Sequence, residues 1–172
     1  MSSKTLLLMR HAKSSWTSDA VLDSDRPLNA RGARAAQAMA PIVAAWQPQW
    51  ISCSTALRTR LTLSPIIEHL GNSADIKLTS ALYESNEAAY LRHIRALPSN
   101  IDRALIIAHN PSLADLCTTL IGMAEPDALD RLAHKLPTGT LIALDCPISR
   151  WSDLAPGSAT LMDVNRPADL VD

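Results

Sequence analysis

Residues 5–11 read TLLLMRH. Leu6, Leu7, Leu8 and Met9 run without a polar break into Arg10 and His11. A short continuous apolar run of this kind is the pattern of a strand covered on both faces, as in a parallel sheet. A second such run, RALIIAHN at 103–110, also stops on a histidine. WISCS at 50–54, after the turn-like QPQ, predicts a third short strand. Helical stretches lie between them. RPLNARGARAAQAMAPIVAAW (26–46) is Ala-rich, with Pro41 expected to kink it or to lie near a helix start. TALRTRLTLSPIIEHLG (55–71) is helical, interrupted by Pro65 and closed by Gly71. NEAAYLRHIRAL (86–97) places Leu91, Ile94 and Leu97 at roughly helical spacing. PSLADLCTTLIG (111–122) predicts a helix capped by Asn110 with Pro111 at its first position. DIKLTSALY (75–83) is expected to form a strand and its exit, and TGTLIALDCPI and GSATLMDV two later strands that could pair. Alternating strands and helices define an α/β sandwich on a largely parallel sheet.

Composition sets the outer limits. The 172 residues suit a single domain, 1–172, able to bury a core without disulfides. Hydrophobic residues make up 47% and charged residues 19%, and there is no Phe, so the core must be aliphatic. A net charge of −1 gives no basic field for nucleic acid or an anionic membrane. No apolar run reaches the roughly 18 residues of a membrane span. The short apolar stretch stops at Arg10 and does not make a signal peptide, so the cytoplasm is the expected compartment. Cys53, Cys117 and Cys146 are widely spaced without a CxxC motif and are read as buried thiols.

In parallel sheets ligands bind beyond the carboxyl ends of the strands. Arg10 and His11 end the first strand, Ser54 and Thr55 follow the second, and His109 and Asn110 end RALIIAHN. Three remote segments thus bring polar groups to one edge. Arg58 lies in the first turn of a helix, where a cation opposes the macrodipole unless an anion sits there. Arg60, two residues on, points elsewhere and is read as a solvated surface residue. Two Arg and two His on one edge form a cationic, donor-rich pocket. The Arg fork binds a tetrahedral oxyanion bidentately, and His can attack phosphorus while partly unprotonated near neutral pH. No Walker loop, GxGxxG, GxSxG or HExxH competes for the chemistry. The remaining histidines are read as structural: His69 near a helix C-terminus, His93 in mid-helix beside Arg92 and Arg95, and His134 in a polar stretch.

RHAKSSW, DRPLNARG, STALRTRLT, LYE and HNPSL, in this order, resemble the histidine phosphatase superfamily (phosphoglycerate mutase-like). The nearest branch is that of the short SixA-type phosphohistidine phosphatases, to which the tail GSATLMDVNRPADL is also similar. The resemblance runs from Thr5 to about Leu120. It implies a three-layer α/β/α sandwich with a mostly parallel central sheet, and activity without a metal or other cofactor. It implies His11 as nucleophile, passing through a phosphohistidine intermediate, with Arg10, Arg58 and His109 holding the phosphoryl oxygens. Ala12 stands where the family commonly has Gly, and Thr55, Thr59 and Leu61 where it commonly has Pro, Ala and Gln, while Ser54, Arg58 and Thr62 remain. Many members protonate the leaving oxygen with a Glu or Asp. Glu84 in ALYESNEAAY is the nearest candidate by position, with Glu87 read as the start of a helix. Lys13, Ser14 and Ser15 lie near the pocket mouth by sequence, either touching substrate or forming a polar loop, and Trp16 either packs on that loop, the expected role, or forms a wall for the substrate.

The resulting expectation is a monomeric phosphatase acting on phosphohistidine in a phosphorylated protein. A small-molecule phosphomonoesterase on the same scaffold, or a non-catalytic phosphoryl-binding module, are the competing readings. A short chain with few insertions leaves an open pocket, which suits a protein surface.

Overall fold

The computed structural model describes residues 2–71, 74–132 and 136–170. Among these residues seven strands form one sheet: β1 (Lys4–Arg10), β2 (Trp50–Ser54), β3 (Asp75–Thr79), β4 (Arg103–Ala108), β5 (Ile121–Ala124), β6 (Leu141–Cys146) and β7 (Ala159–Asn165). Their order is β3-β2-β4-β1-β6-β7-β5. The β3, β2, β4 and β1 strands run parallel, β6 is antiparallel to β1 and β7, and β5 is parallel to β7. The helices are α1 (Ala30–Ala45), α2 (Leu57–Leu70), α3 (Glu87–Arg95), α4 (Ser112–Leu120) and α5 (Pro126–Arg131).

The unbroken apolar run of β1 is explained by the two layers of core. Leu6 and Leu8 join one cluster with Tyr90, Ile94, Leu113 and Leu116, under α3 and α4. Leu7 and Met9 join the other with Met39, Val43, Leu63 and Ile66, under α1 and α2. Successive side chains of a strand point to opposite faces, so a strand covered by helices on both sides needs apolar residues at every position. In β4, Ile106 and Ile107 divide between the two clusters in the same way. The result is the expected three-layer sandwich.

Four local expectations differ from the structure. Both α1 and α2 run through their internal prolines, Pro41 and Pro65. One missing N–H in a helix of 16 or 14 residues is outweighed here by packing of the amphipathic face. The cap expected at Asn110 is also corrected. The α4 helix begins at Ser112 with Pro111 in the capping position, one residue later than expected, while the Asn110 side chain still reaches the first turn of the helix. Its amide donates to Leu136 O and its carbonyl accepts from Ala114 N. Finally, the helix expected to reach Gly122 stops at Leu120, and Ile121–Ala124 becomes a strand beside β7. A Cβ at Gly122 would lie 2.0 Å from Gly157 O, so this close approach requires glycine. The later strands β6 and β7 do pair with each other.

Glycine also fixes the loop that carries the site. A Cβ on Gly32, in the first turn of α1, would lie 2.0 Å from Lys13 O. The segment after His11 and the start of α1 are thereby in backbone contact, reinforced by Asn29 N donating to Lys13 O at 3.0 Å.

Candidate active site

The carboxyl ends of β1, β2 and β4 open into a cleft of about 360 Å³. Arg10, His11, Arg58 and His109 all line it, with Arg26 and Asn110. Glu84 does not. It is exposed, has φ 51°, and lines a separate groove with Glu87, Arg92 and Asp115. Glu87 opens α3, and its Oε2 accepts a hydrogen bond from the Thr119 hydroxyl.

His11 is only 7% exposed. Its Nδ1 lies 2.7 Å from Ala12 O and must carry the proton, because a carbonyl can only accept. Nε2 is therefore the nitrogen with a free lone pair. Burial is the main force holding the ring neutral, pulling its pKa down to about 4, with the Ala12 carbonyl opposing and Arg58, Arg10 and Arg26 adding to it.

The rings of His11 and His109 stand 5.3 Å apart, tilted by 54°. His109 Nε2 is 2.7 Å from Ser54 Oγ, which also accepts from Ala56 N at 3.3 Å. The Ser54 hydroxyl is fully buried and has no other acceptor among the described residues, so it is assigned as donor to Nε2, and His109 carries its proton on Nδ1. Burial, then the charges of His11 and Arg58, lower the His109 pKa to about 3. Tyr83 meets the His109 ring edge-on at 5.6 Å.

Arg58 is held from the far side of the chain. Its NH1 donates to Asp23 O at 2.9 Å and its NH2 to Asp23 Oδ2 at 3.1 Å. Asp23 lies in the 3-10 turn Asp23–Asp25. It also accepts from Tyr83 Oη at 2.8 Å and from Arg26 Nε at 3.0 Å. Its slight burial would raise its pKa, but these donors together hold it at about 2. Arg10 NH1 donates to Leu136 O at 2.8 Å. Three buried nitrogens around the cleft have no partner among the described residues: Arg10 Nε, Arg58 Nε and His109 Nδ1. A buried donor left unpaired costs about 1–3 kcal/mol. The cationic lining of the cleft suits a tetrahedral oxyanion, whose negative charge meets the Arg side chains.

The loop residues fall into place around this set. Lys13 is exposed at the cleft wall, and Ser14 is buried and accepts from Arg26 NH1 at 2.8 Å. Trp16 is a correction: it does not pack away but remains 80% exposed on the rim, with the Arg26 guanidinium 3.6 Å over its ring. Arg60 is exposed as expected, its Nε donating to Thr55 O. His69 closes the last turn of α2 against Pro65 O, and His93 bonds to Ser52 Oγ. His134 lies outside the described residues. Among the described residues there is no group of three or more His, Cys, Asp or Glu arranged to hold a metal. Sequence reasoning missed Asp23, Arg26 and Tyr83. Arg26 and Tyr83 lie in the segments DRPLNARG and LYE that carry the resemblance, without a role assigned to them there, and the signal for Asp23 was its place three residues before Arg26 in DSDRP.

A sheet of this topology with a cationic, histidine-bearing cleft at its carboxyl edge is the architecture of a phosphoryl-handling enzyme. Residues 6–92 match the histidine phosphatase superfamily (branch 1). The chain is 32% identical over 168 residues to the uncharacterized protein Rv1276c of Mycobacterium tuberculosis, covering 92% of this chain and 99% of that one. Its fold is similar to that of SixA from Nakamurella multipartitia, assigned as a phosphohistidine phosphatase, with a TM-score of 0.77, 30% identity, and coverage of 97% and 98% of the two chains. SixA from Agrobacterium tumefaciens, assigned likewise, gives a TM-score of 0.77 and 26% identity, with 95% and 99% covered. The chain belongs to the histidine phosphatase superfamily, in its SixA-like branch, and is a phosphatase. Among the described residues no helix is long and apolar enough to cross a membrane.

Proposed function

We propose that this phosphatase removes the phosphoryl group from phosphohistidine on a protein, through a covalent intermediate on His11. The observation that carries the reading is the neutral His11 ring, its Nδ1 committed to Ala12 O, in a cleft that Arg10, Arg58 and His109 also line. In the first step the Nε2 lone pair forms a bond to phosphorus while the bond to the leaving nitrogen breaks. The leaving imidazole keeps that electron pair. In the second step water attacks phosphorus, Nε2 regains its lone pair, and inorganic phosphate departs with a proton from water released. Arg10, Arg58 and His109 hold the equatorial oxygens and stabilise the charge that develops on them. These fixed donors do the work that a metal does elsewhere, so turnover continues under exhaustive chelation.

The choice of leaving group follows from the acid. An alkoxide needs a proton as it departs, and general acid catalysis contributes about 10²–10⁴-fold. Glu84 lies outside the cleft and Asp23 is held ionised, so neither is set up to give that proton. An imidazole, whose conjugate acid has a pKa of about 6.5, can carry its own proton before the bond breaks. Phosphohistidine should therefore be hydrolysed at least about 100-fold faster than an alkyl phosphate. The test is turnover of a radiolabelled phosphohistidine protein, quenched in alkali to preserve the phosphoramidate. Label should appear on His11 and be lost, together with turnover, in His11→Ala. Label or near-normal turnover in that variant would overturn the assignment. Fast alkyl phosphate hydrolysis that collapses in Glu84→Gln would favour a small-molecule phosphomonoesterase.

A further inference from the structure

A second cleft, of about 310 Å³, shares Lys13 and Thr138 with the phosphoryl cleft. Its charged lining is Lys13, Arg31 and Arg166, against apolar walls from Ala35, Pro137 and Pro167. Among the described residues no carboxylate lines either cleft. That concentration is not inherited from composition, because the chain as a whole has a net charge of −1. Arg166 is committed to Asp169, with Nε to Oδ2 at 3.0 Å and NH2 to Oδ1 at 2.9 Å. Lys13 and Arg31 are different. Both are exposed, and neither side chain has a hydrogen-bond or ion-pair partner among the described residues. Arg31 sits in the first turn of α1, a turn without any acidic residue, where its charge opposes the helix dipole.

The wall between the clefts is firmly tied. Gly139 N donates to Arg10 O at 3.1 Å and to His11 O at 2.9 Å. Pro167 Cγ fills the place of a Gly139 Cβ, at 2.8 Å, and φ at Gly139 is +77°. The second cleft is therefore fixed relative to His11. Lys13 lies two residues from His11, so their α-carbons are at most roughly 7 Å apart.

We propose that this second cleft is a subsite for another anionic group of the substrate, a carboxylate or phosphate about one residue away from the transferred phosphoryl group. The proposal rests on the phosphatase reading of the first cleft and adds what flanks the scissile bond. In a protein substrate the group is an Asp or Glu beside the phosphorylated residue. In a small molecule it is a second phosphate.

The test uses the full chain, wild type, Arg31→Gln and Arg31→Glu, with melting curves to establish folding. One arm compares phosphohistidine peptides that differ only in Glu against Gln next to the phosphorylated residue. The other compares aryl phosphates with and without a second phosphate. Wild type should favour the doubly anionic partner in kcat/KM by about 5-fold, the scale of an exposed charge pair. The advantage should shrink with rising salt, disappear in Arg31→Gln and invert in Arg31→Glu. Turnover of the simple aryl phosphate should stay within about twofold, because Arg31 does not line the phosphoryl cleft. The arm with the larger effect names the source of the anion. If peptides are hydrolysed without preference in either arm, the subsite falls and the phosphohistidine reading stands. If peptides are not hydrolysed but the aryl pair shows the Arg31-dependent preference, the phosphohistidine reading falls and the subsite stands. A preference that survives Arg31→Glu unchanged also overturns the subsite.

Discussion

Lowering the pH from 7 to 4 tests the state of the nucleophile directly. His11 is pulled to about 4, first by burial and then by Arg58, Arg10 and Arg26. At pH 5.5 a ring with that pKa is about 97% neutral, whereas an ordinary imidazole near 6.5 is only about 10% neutral. Titrating the imidazole signals by NMR, with His11→Asn to assign them, should give a midpoint far below 6.5. Once corrected for the substrate phosphate's own titration near pH 6, kcat/KM should hold down to about pH 5. Stability carries the same signature. The unfolded chain takes up the proton at about 6.5 and the folded chain only near 4, so the unfolded state binds more protons in between. Stability is complete above 6.5 and falls as pH drops through that window. A depression from 6.5 to about 4 corresponds to about 3 kcal/mol as an upper scale. His109, lower still, adds to the loss in the same direction. Removing a neighbouring cation in Arg58→Gln should move the His11 midpoint upward. A wild-type midpoint near 6.5, or one unmoved by Arg58→Gln, would refute the account of a buried, cation-flanked neutral ring.

Three further outcomes follow from the geometry. Arg58→Ala should lower kcat/KM by at least about 100-fold, the scale of one preorganised oxyanion donor, while Arg60→Ala changes it little; steady-state kinetics on one substrate separates them. Asp23→Asn keeps the side-chain shape but removes the charge shared by Arg58, Arg26 and Tyr83. Because Asp23 is 44% exposed, the effect on melting should be small, about 1 kcal/mol or less, and vanadate or phosphate affinity should change through the freed Arg58. Ser54→Ala removes the hydroxyl that fixes the His109 tautomer and accepts from buried Ala56 N, so it should lower kcat and also lower stability by the roughly 1–3 kcal/mol of a buried donor left unpaired.

The framework was legible because burial on two faces leaves a mark in the sequence. LLLM in β1 and LIIA in β4 carry apolar residues at every position, and each runs into a histidine at the edge where helices cease to cover the sheet. The same reasoning reached Arg58, since a cation in a helix's first turn needs an explanation. Asp23 left no such mark. Its meaning arises only when the loop folds back across 35 residues to Arg58 and 60 to Tyr83, and no periodicity records contacts so distant in sequence. Glu84 shows the converse. Its position suggested the site, but the local turn, with φ at 51°, leaves it exposed beside a different groove. The β5 strand was hidden too, because four residues after a helix look like one more turn of that helix.

The distribution of charge around β1 gives these observations a common cause. A buried strand can end on Arg and His only if something meets their polar atoms there. The chain supplies part of it: Leu136 O takes Arg10 NH1, Ala12 O takes His11 Nδ1, and Asp23 takes the end of the Arg58 fork. Among the described residues it leaves Arg10 Nε, Arg58 Nε and His109 Nδ1 without acceptors, and beyond the wall at Gly139 it leaves Lys13 and Arg31 without anions. A fold selected only for stability would neutralise these groups with the acidic residues it has in surplus, 17 against 16 basic ones. Leaving Lys13 and Arg31 unpaired beside this edge makes sense where the missing anions arrive with the substrate and leave with the product.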